Sequence, residues 1–442
     1  MIGRKVKINL ILVSAIILSY IFQNALEIRY NFFKYFDELT ALVGLCWCIY
    51  YFSFNKISKK ILFVGICLIT FVFLGVISNI IFEYQNWKWV IVDVFTNVKF
   101  FGNMGLGFMV ANYVRFDKFY ITAEKTAKIA TLILFSCTIL DIFFNCFPSQ
   151  TGERFNLINM VYKTVYIQYQ YLYKTKKLTL FYFHGTYLAA AIVFLLMLFT
   201  LKKEFVKKNR LYIFMCIVML GLTGRSKAIA IALVYLFMYV YCNKMKKTIN
   251  MKKMFGIGIV AGAIGWSKIK YFYFTLGDSS ARSVLSRMAL RIASDYFPLG
   301  TGFGTYASDQ AAKHYSIVYN IYGMNVGETA ENSAFLNDVM WPIVLGQGGF
   351  LGMLFYIIVI VELVICCLEM QKDNNQKYIN GQWATLFGMF YLLISSLGEP
   401  TFNNSISAAI AFTIGLMIWW NYGKPYEKTV RCNEQGLITD EE

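Results

Sequence analysis

The segment Gly221-Leu222-Thr223-Gly224-Arg225-Ser226-Lys227 interrupts two apolar runs and places an arginine between them. An arginine beside lipid is expensive unless it faces protein, water or an anion. A glycine-permitted turn would hold Arg225 where the following helix adds the positive end of its dipole, and a phosphate suits both features. The competing explanation is a polar hairpin tip whose long side chains snorkel. A second cationic stretch, SSARSVLSRMALRIASD from Ser279 to Asp295, has the pattern of a capped helix with Arg287 and Arg291 four residues apart on one face. Arg282 points largely elsewhere at helical spacing. Beyond Pro298 follows Gly300-Thr301-Gly302-Phe303-Gly304-Thr305-Tyr306, a turn that permits close approach of backbone to a ligand. Glu328, Glu331 and Asp338 come next, ahead of Trp341-Pro342 and Gly346-Gln347-Gly348-Gly349-Phe350-Leu351-Gly352. Glu328 reads as a solvated charge. Glu331 and Asp338 are the candidates for a base: a glycosyl transfer with an anionic leaving group needs a carboxylate to take the acceptor's proton and cations to stabilise the departing phosphate.

The chain that must position these groups has 442 residues, 58% hydrophobic, 18% aromatic and 15% charged. Soluble domains run at roughly 45–50% apolar and about 25% charged, so the composition points to membrane and excludes disorder, fibres and disulfide scaffolds. With about 20 apolar residues needed per helical span, there is room for a dozen spans and one sizeable loop. The formal charge of +17 does not require nucleic acid, because lysines retained on the cytoplasmic side of a membrane protein produce the same excess. Most of the ten cysteines lie inside apolar runs, where a thiol is a small hydrophobe, and His184 and His314 are the two histidines. No structural metal and no cofactor are expected.

Apolar stretches fall near 8–22, 38–54, 61–82, 90–114, 127–147, 182–201, 211–224, 228–242, 254–270, 342–367, 381–398 and 405–421. The first follows Arg4, Lys5 and Lys7 but lacks a convincing small-residue cleavage site, so it reads as a helix and not as a signal sequence. Threading about twelve spans with the N-terminus inside puts the clusters around Lys56–Lys60, Arg115–Lys128, Lys202–Arg210 and Lys244–Lys253 on the cytoplasmic side. Lys174, Lys176 and Lys177 fall outside and count against it. The expectation is therefore an all-α polytopic protein of the plasma membrane, residues 1–442 forming one membrane domain with both termini cytoplasmic and a cytoplasmic tail at 423–442. Two outer loops are long: 148–180, and 268–341, which carries aromatics, glycines and a helical pattern and reads as a folded, mainly helical cap. No internal repeat is visible, which weakens an inverted-repeat transporter. Asp93, Lys99 and Asp141 sit within or near apolar helices, where packing and pairing are favoured over function. His184 begins a helix at the outer surface, either touching substrate or satisfied as a boundary residue; His314 has no partner evident from spacing.

In order and spacing, these features resemble the O-antigen polymerase and ligase superfamily, especially the polymerases of capsular and exopolysaccharide repeat units. The resemblance covers the topology and, in motifs, roughly Leu220 to Phe355: LTGRSKA, Arg291 and Gly302 in the same relation as the family's arginine-to-glycine motif, GTGFGTY, and NDVMWPIVLGQGGFLG. It implies a membrane glycosyltransferase of GT-C-like architecture that carries out inverting, metal-independent transfer at the outer membrane face. Its substrates would be polyprenyl-diphosphate-linked oligosaccharides in the lipid bilayer, with a chain-length regulator as a candidate partner. Mapped by motif, Arg225 and Arg291 match arginines that bind the donor diphosphate, and Gly302 closes the motif; by helical spacing, Arg287 is expected to assist and Arg282 ranks lower. Asp338 stands where ligases of the superfamily carry a histidine, eleven residues before Gly349. That departure favours a polymerase-type site. Arg154 in the first long loop is a second-tier contact for acceptor or donor, and His184 a further substrate contact. The alternatives are a flippase of the same lipid-linked sugar and a ligase that moves finished polysaccharide to another acceptor.

Overall fold

The computed structural model describes residues 10–144, 147, 178–240, 256, 266, 270–277, 280–324, 336–337, 339–370 and 376–422. It is all-helical, with no strand among the described residues. The principal helices are α1 (Leu10–Arg29), α2 (Phe36–Phe54), α3 (Lys59–Phe82), α4 (Trp87–Tyr113), α5 (Phe116–Phe144), α6 (Gly185–Thr200), α7 (Arg210–Leu222), α8 (Ser226–Tyr239), α9 (Ala281–Asp295), α10 (Met340–Glu369), α11 (Gln376–Ser396) and α12 (Ala408–Tyr422). Four of these, α1, α3, α5 and α10, are long and apolar enough to cross a membrane, and α6, α7, α8 and α12 are shorter apolar helices. The expected stretch at 254–270 and the tail at 423–442 lie almost wholly outside the described residues.

Helices form where long apolar runs satisfy their own backbone, as a lipid environment requires. Residues such as Ile11, Phe54, Phe73, Ile91, Phe143 and Phe214 point outward and are exposed, a surface suited to hydrocarbon. Inside, small residues bring helices together: a Cβ on Gly107 would lie 2.3 Å from the Phe412 carbonyl oxygen, and one on Gly415 would lie 2.2 Å from that of Met104. That close approach joins α4 to α12 in the manner of glycine-mediated membrane packing.

Named contacts sort the helix ends into two groups. Lys60 at the start of α3 pairs with Glu369 at the end of α10 and faces the ring of Tyr422 at the end of α12. Trp420 packs on Phe116 at the start of α5 and donates to the Ala111 carbonyl near the end of α4. Glu124 on α5 meets Lys128, Asn209 and Lys208 at the same end. At the opposite end the start of α6 meets the starts of α8 and the turn after α11. Successive helices from α3 to α5 thus run in alternating directions.

Lys99, Asp37, Asp93 and Asp141, buried in the bundle, each have a partner. Lys99 Nζ lies 2.9 Å from Asp37 Oδ2, and Asp37 Oδ1 accepts from Gln23 at 2.9 Å. Asn103 binds the Asp37 and Lys99 carbonyls, while its own oxygen accepts from Tyr20 and Thr40. Asp93 Oδ2 accepts the Gly304 N–H at 2.8 Å, and Asp141 Oδ1 the Phe147 N–H at 2.9 Å. Pairing is the role the sequence favours for Asp93, Lys99 and Asp141.

Helix α9 belongs to a folded unit with its own apolar cluster, in which Leu285, Ala289 and Ile292 pack with Tyr306, Val318, Tyr319 and Ile343. Ser280 occupies the N-cap position without a side-chain cap hydrogen bond, unlike the capped start expected from sequence. The segment after α9 is fastened into α10, which breaks at Gly349 (φ 62°, ψ −164°). There the Leu351 N–H reaches the Pro298 carbonyl at 3.2 Å, Thr301 N–H the Gly346 carbonyl at 3.0 Å and Gly302 N–H the Gln347 carbonyl at 3.0 Å. A Cβ on Gly349 would fall 2.2 Å from the Leu299 carbonyl carbon. Gly349→Ala is expected to lose about 1–3 kcal/mol from backbone strain alone, read as a lower unfolding midpoint in detergent. Gly352→Ala, whose Cβ would meet Phe71 at an ordinary 3.5 Å, should leave that midpoint nearly unchanged.

Candidate functional site

Four chain segments converge at the bundle end opposite the Lys60 and Glu124 contacts. The turn Gly221–Gly224 ends α7, and Gly224 takes a left-handed conformation (φ 59°) that redirects the chain into α8. Arg225 is therefore the N-cap residue of α8, at the positive end of the helix. Its guanidinium Nη2 meets His184 Nε2, and His184 is the N-cap residue of α6. His184 Nδ1 lies 2.8 Å from Thr186 Oγ1, and Thr186 Oγ1 donates to Glu399 Oε1 at 2.9 Å. The same carboxylate oxygen is ion-paired with Lys227, the second residue of α8, which also donates to Ser395 Oγ at 3.3 Å. Tyr391 on α11 donates to the Thr186 carbonyl at 3.2 Å.

Arg282 enters from α9. Its Nη1 lies 3.5 Å from the position a Cβ would take on Gly398, and it stands near enough to Lys227, as does Arg225, to act on that charge. Tyr273 donates to the Leu397 carbonyl and ties the chain ahead of α9 to the same turn. Lys227 and Glu399 are mostly buried, with side chains 21% and 19% exposed. Arg225 Nε is buried with no hydrogen-bond partner among the described residues. Two guanidinium groups thus stand near the part-buried Lys227–Glu399 pair. Such an arrangement favours an oxyanion, which can take guanidinium hydrogen bonds in pairs.

Of the residues singled out from sequence, Arg225, Arg282 and His184 come together here. Arg287 and Arg291 do not. Arg291 is nine residues past Arg282, about 13.5 Å along the axis and about half a turn around it. It lies 4.0 Å from Asp295 and over the Tyr322 ring at 5.6 Å, with its side chain 66% exposed. Arg287 is exposed on the same helix. Gly302 (φ 92°) is filled on its open side by Asn79, whose amide donates to the Phe303 carbonyl at 3.0 Å and accepts the Phe303 N–H at 2.7 Å. The glycine-rich turn is thus bonded to α3, α4 and α10, with Thr301, Phe303, Thr305 and Tyr306 fully buried. Its glycines permit protein–protein approach. Arg154, Glu328, Glu331 and Asp338 lie outside the described residues.

His314 stacks on Trp89, centroids 3.5 Å apart, a partner that sequence spacing did not reveal. Partial burial there, with Lys313 and Lys88 nearby, holds its imidazole below the ordinary histidine value. Glu399, Lys227 and Thr186 were not singled out from sequence. Glu399 carried a usable signal: it stands in Gly398-Glu399-Pro400 at the end of the 381–398 stretch, which the threading puts on the same side as Arg225.

Compared with protein-family models and with curated proteins, the chain matches none. Glu399→Gln removes the carboxylate paired with Lys227 and is expected to tighten binding of inorganic diphosphate by about tenfold, roughly 1.4 kcal/mol. Arg225→Ala should weaken it. Titration calorimetry of the detergent-solubilised protein reads both.

Proposed function

We propose that the chain is a membrane glycosyltransferase of about twelve spans and GT-C-like architecture that polymerises polyprenyl-diphosphate-linked oligosaccharide repeat units at the outer face of the plasma membrane. The observation that carries this reading is the convergence of Arg225 and Arg282 on the Lys227–Glu399 pair, with His184 alongside. The alternating helix ends support the threaded topology, because they group the lysine-bearing turns at Lys60, Lys128 and Lys208 away from this cluster. Cations gathered at the end distant from those turns serve poorly as topology signals and well as ligands for an anion.

In this reading a lipid-linked repeat approaches laterally, its diphosphate bound by Arg225, Lys227 and Arg282. The hydroxyl of a second lipid-linked repeat attacks the donor's anomeric carbon from the opposite face and inverts its configuration. The bond from that carbon to the phosphate oxygen breaks, and the arginines compensate the charge on the departing polyprenyl diphosphate. For Arg291 to join Arg225 at the donor, as the family resemblance implies, α9 would have to shift and the Asp295 and Tyr322 contacts break. The cap that carries α9 has an obvious role in a polymerase, where it covers the acceptor, and none in a simple flippase.

Purified protein in proteoliposomes, given one lipid-linked repeat on its outer side, is expected to make longer chains and release polyprenyl diphosphate. A flippase would move substrate without elongating it, and a ligase would require a foreign acceptor. Arg225→Ala should slow elongation by about 10²–10³, the usual effect of losing a positioned donor to a developing anion, while the protein stays in the membrane. In intact cells, cysteines placed at Ser226 and Ser283 should react with a membrane-impermeant thiol reagent; reaction only after permeabilisation would refute the outer location.

A further inference from the structure

The imidazole of His184 holds more information than a helix cap needs. A simple cap would leave Nδ1 unprotonated to accept the Thr186 N–H, 3.3 Å away, and would put the ring proton on Nε2. Nε2, however, faces the Arg225 Nη2 group, which can only donate. Of the two contacts the charged Arg225 donor is the stronger constraint, so the lone pair is assigned to Nε2 and the proton to Nδ1, at the expense of the 3.3 Å contact from the Thr186 N–H. Nδ1–H then points at Thr186 Oγ1 at 2.8 Å, and because the single Thr186 hydroxyl proton goes to the Glu399 carboxylate at 2.9 Å, Oγ1 is free to accept it. The contacts form one directional chain from Arg225 through His184 and Thr186 to Glu399, anchored by Lys227. A base oriented through its second nitrogen toward a carboxylate is the arrangement general-base catalysis uses.

We propose that His184 is the catalytic base of the glycosyl transfer, with Thr186 and Glu399 as positioning residues and Arg225 as the group that covers its lone pair until the donor arrives. This rests on the glycosyl-transfer reading above. The donor's diphosphate competes for the Arg225 guanidinium and re-aims it, which uncovers Nε2. The acceptor hydroxyl then gives its proton to Nε2 as its oxygen bonds the anomeric carbon. The carbon–phosphate oxygen bond breaks, its electron pair leaves with polyprenyl diphosphate, and the proton on His184 passes to water after release. One arginine would thus couple donor binding to activation of the acceptor and suppress proton abstraction in its absence.

Arg225 on α8 meets this imidazole directly and Glu399 after α11 reaches it through Thr186; Lys227 is paired with that carboxylate, Arg282 stands near Lys227, and Tyr391 and Tyr187 belong to the same turn. Because the base must be unprotonated to take the acceptor's proton, the rate should fall on the acid side of the pH profile as His184 becomes protonated before reaction.

The test measures initial elongation rates in proteoliposomes against pH and substrate. His184→Gln keeps a hydrogen-bonding side chain without basicity. It is expected to leave the donor KM within about threefold, lower kcat by about 10²–10⁴ and abolish the acid limb. Thr186→Val should lower kcat by about tenfold and move the limb to lower pH, because the carboxylate no longer favours the imidazolium. Thr186→Ser should restore both, which separates the relay from a packing defect. His314→Gln should keep the limb. A His184→Gln protein with near wild-type kcat, with an unchanged acid limb or with a defect confined to KM overturns the assignment. Product from the wild type with an unaffected His184→Gln variant sinks the base alone, whereas no product from the wild type sinks the glycosyl-transfer reading and the base with it.

Discussion

The ion pair between Lys227 and Glu399 holds the site together. It joins the start of α8 to the turn after α11, and through Thr186 and His184 it also engages the start of α6 and the side chain of Arg225. A pair this far from water keeps its charges only if each is matched, since desolvation of an unmatched ion outweighs most of what the fold gains elsewhere. Here Glu399 is paired with Lys227, and Arg225 and Arg282 stand close enough to act on the Lys227 charge. The remaining positive charge, together with the unmet Arg225 Nε, gives the site its affinity for an anion and makes a diphosphate a natural counter-charge.

Around this pair the bundle is rigid for reasons that involve no ligand. The Asn79 amide grips both backbone groups of Phe303, Asp93 holds the Gly304 N–H, and Gln347 donates to the Tyr306 carbonyl. These contacts clamp the glycine-rich turn between α3, α4 and the broken start of α10. Because α9 leads directly into that turn, the clamp also fixes the height at which Arg282 meets Gly398. Deeper in the bundle, Lys99 and Asp37 are satisfied within a network that includes Gln23, Asn103, Tyr20 and Thr40. Rigid support of this kind lets a few side chains hold a reacting geometry without reorganising.

Much of the architecture was legible in advance, because helix formation in an apolar run is a local matter. The runs at 61–82, 90–114 and 182–201 became α3, α4 and α6 within a few residues. The 127–147 run became α5, which starts earlier, at Phe116, because its first turns are amphipathic and an apolar window does not register them. The break at Gly224 placed Arg225 at a helix start as its glycine foretold, and Arg287 and Arg291 share a helix with Arg282 as their spacing required. Which arginine of α9 faces the site was not legible. Helical periodicity separates Arg282 from Arg291 without saying which side meets the bundle; Leu285, Ala289 and Ile292 decide that by burying their stripe in the cap's own core. The glycine-rich turn was open to misreading for a related reason, since a backbone that must approach a ligand and one that must approach another helix call for the same residue type.

The amino-acid sequence by itself determined the class of the molecule, the order of its apolar helices, and the turn that puts Arg225 at the head of one of them. Each follows from composition or from spacing within a few residues, where backbone hydrogen bonding and side-chain periodicity act. Only the tertiary structure decided that Glu399 is the carboxylate beside Lys227, that His184 lies between Arg225 and Thr186, and that Arg282 stands nearer Lys227 than Arg291 can. Those outcomes depend on which helix ends meet across some two hundred residues of chain, as Thr186 meets Glu399. Packing of whole helices settles such meetings, and no local pattern encodes them.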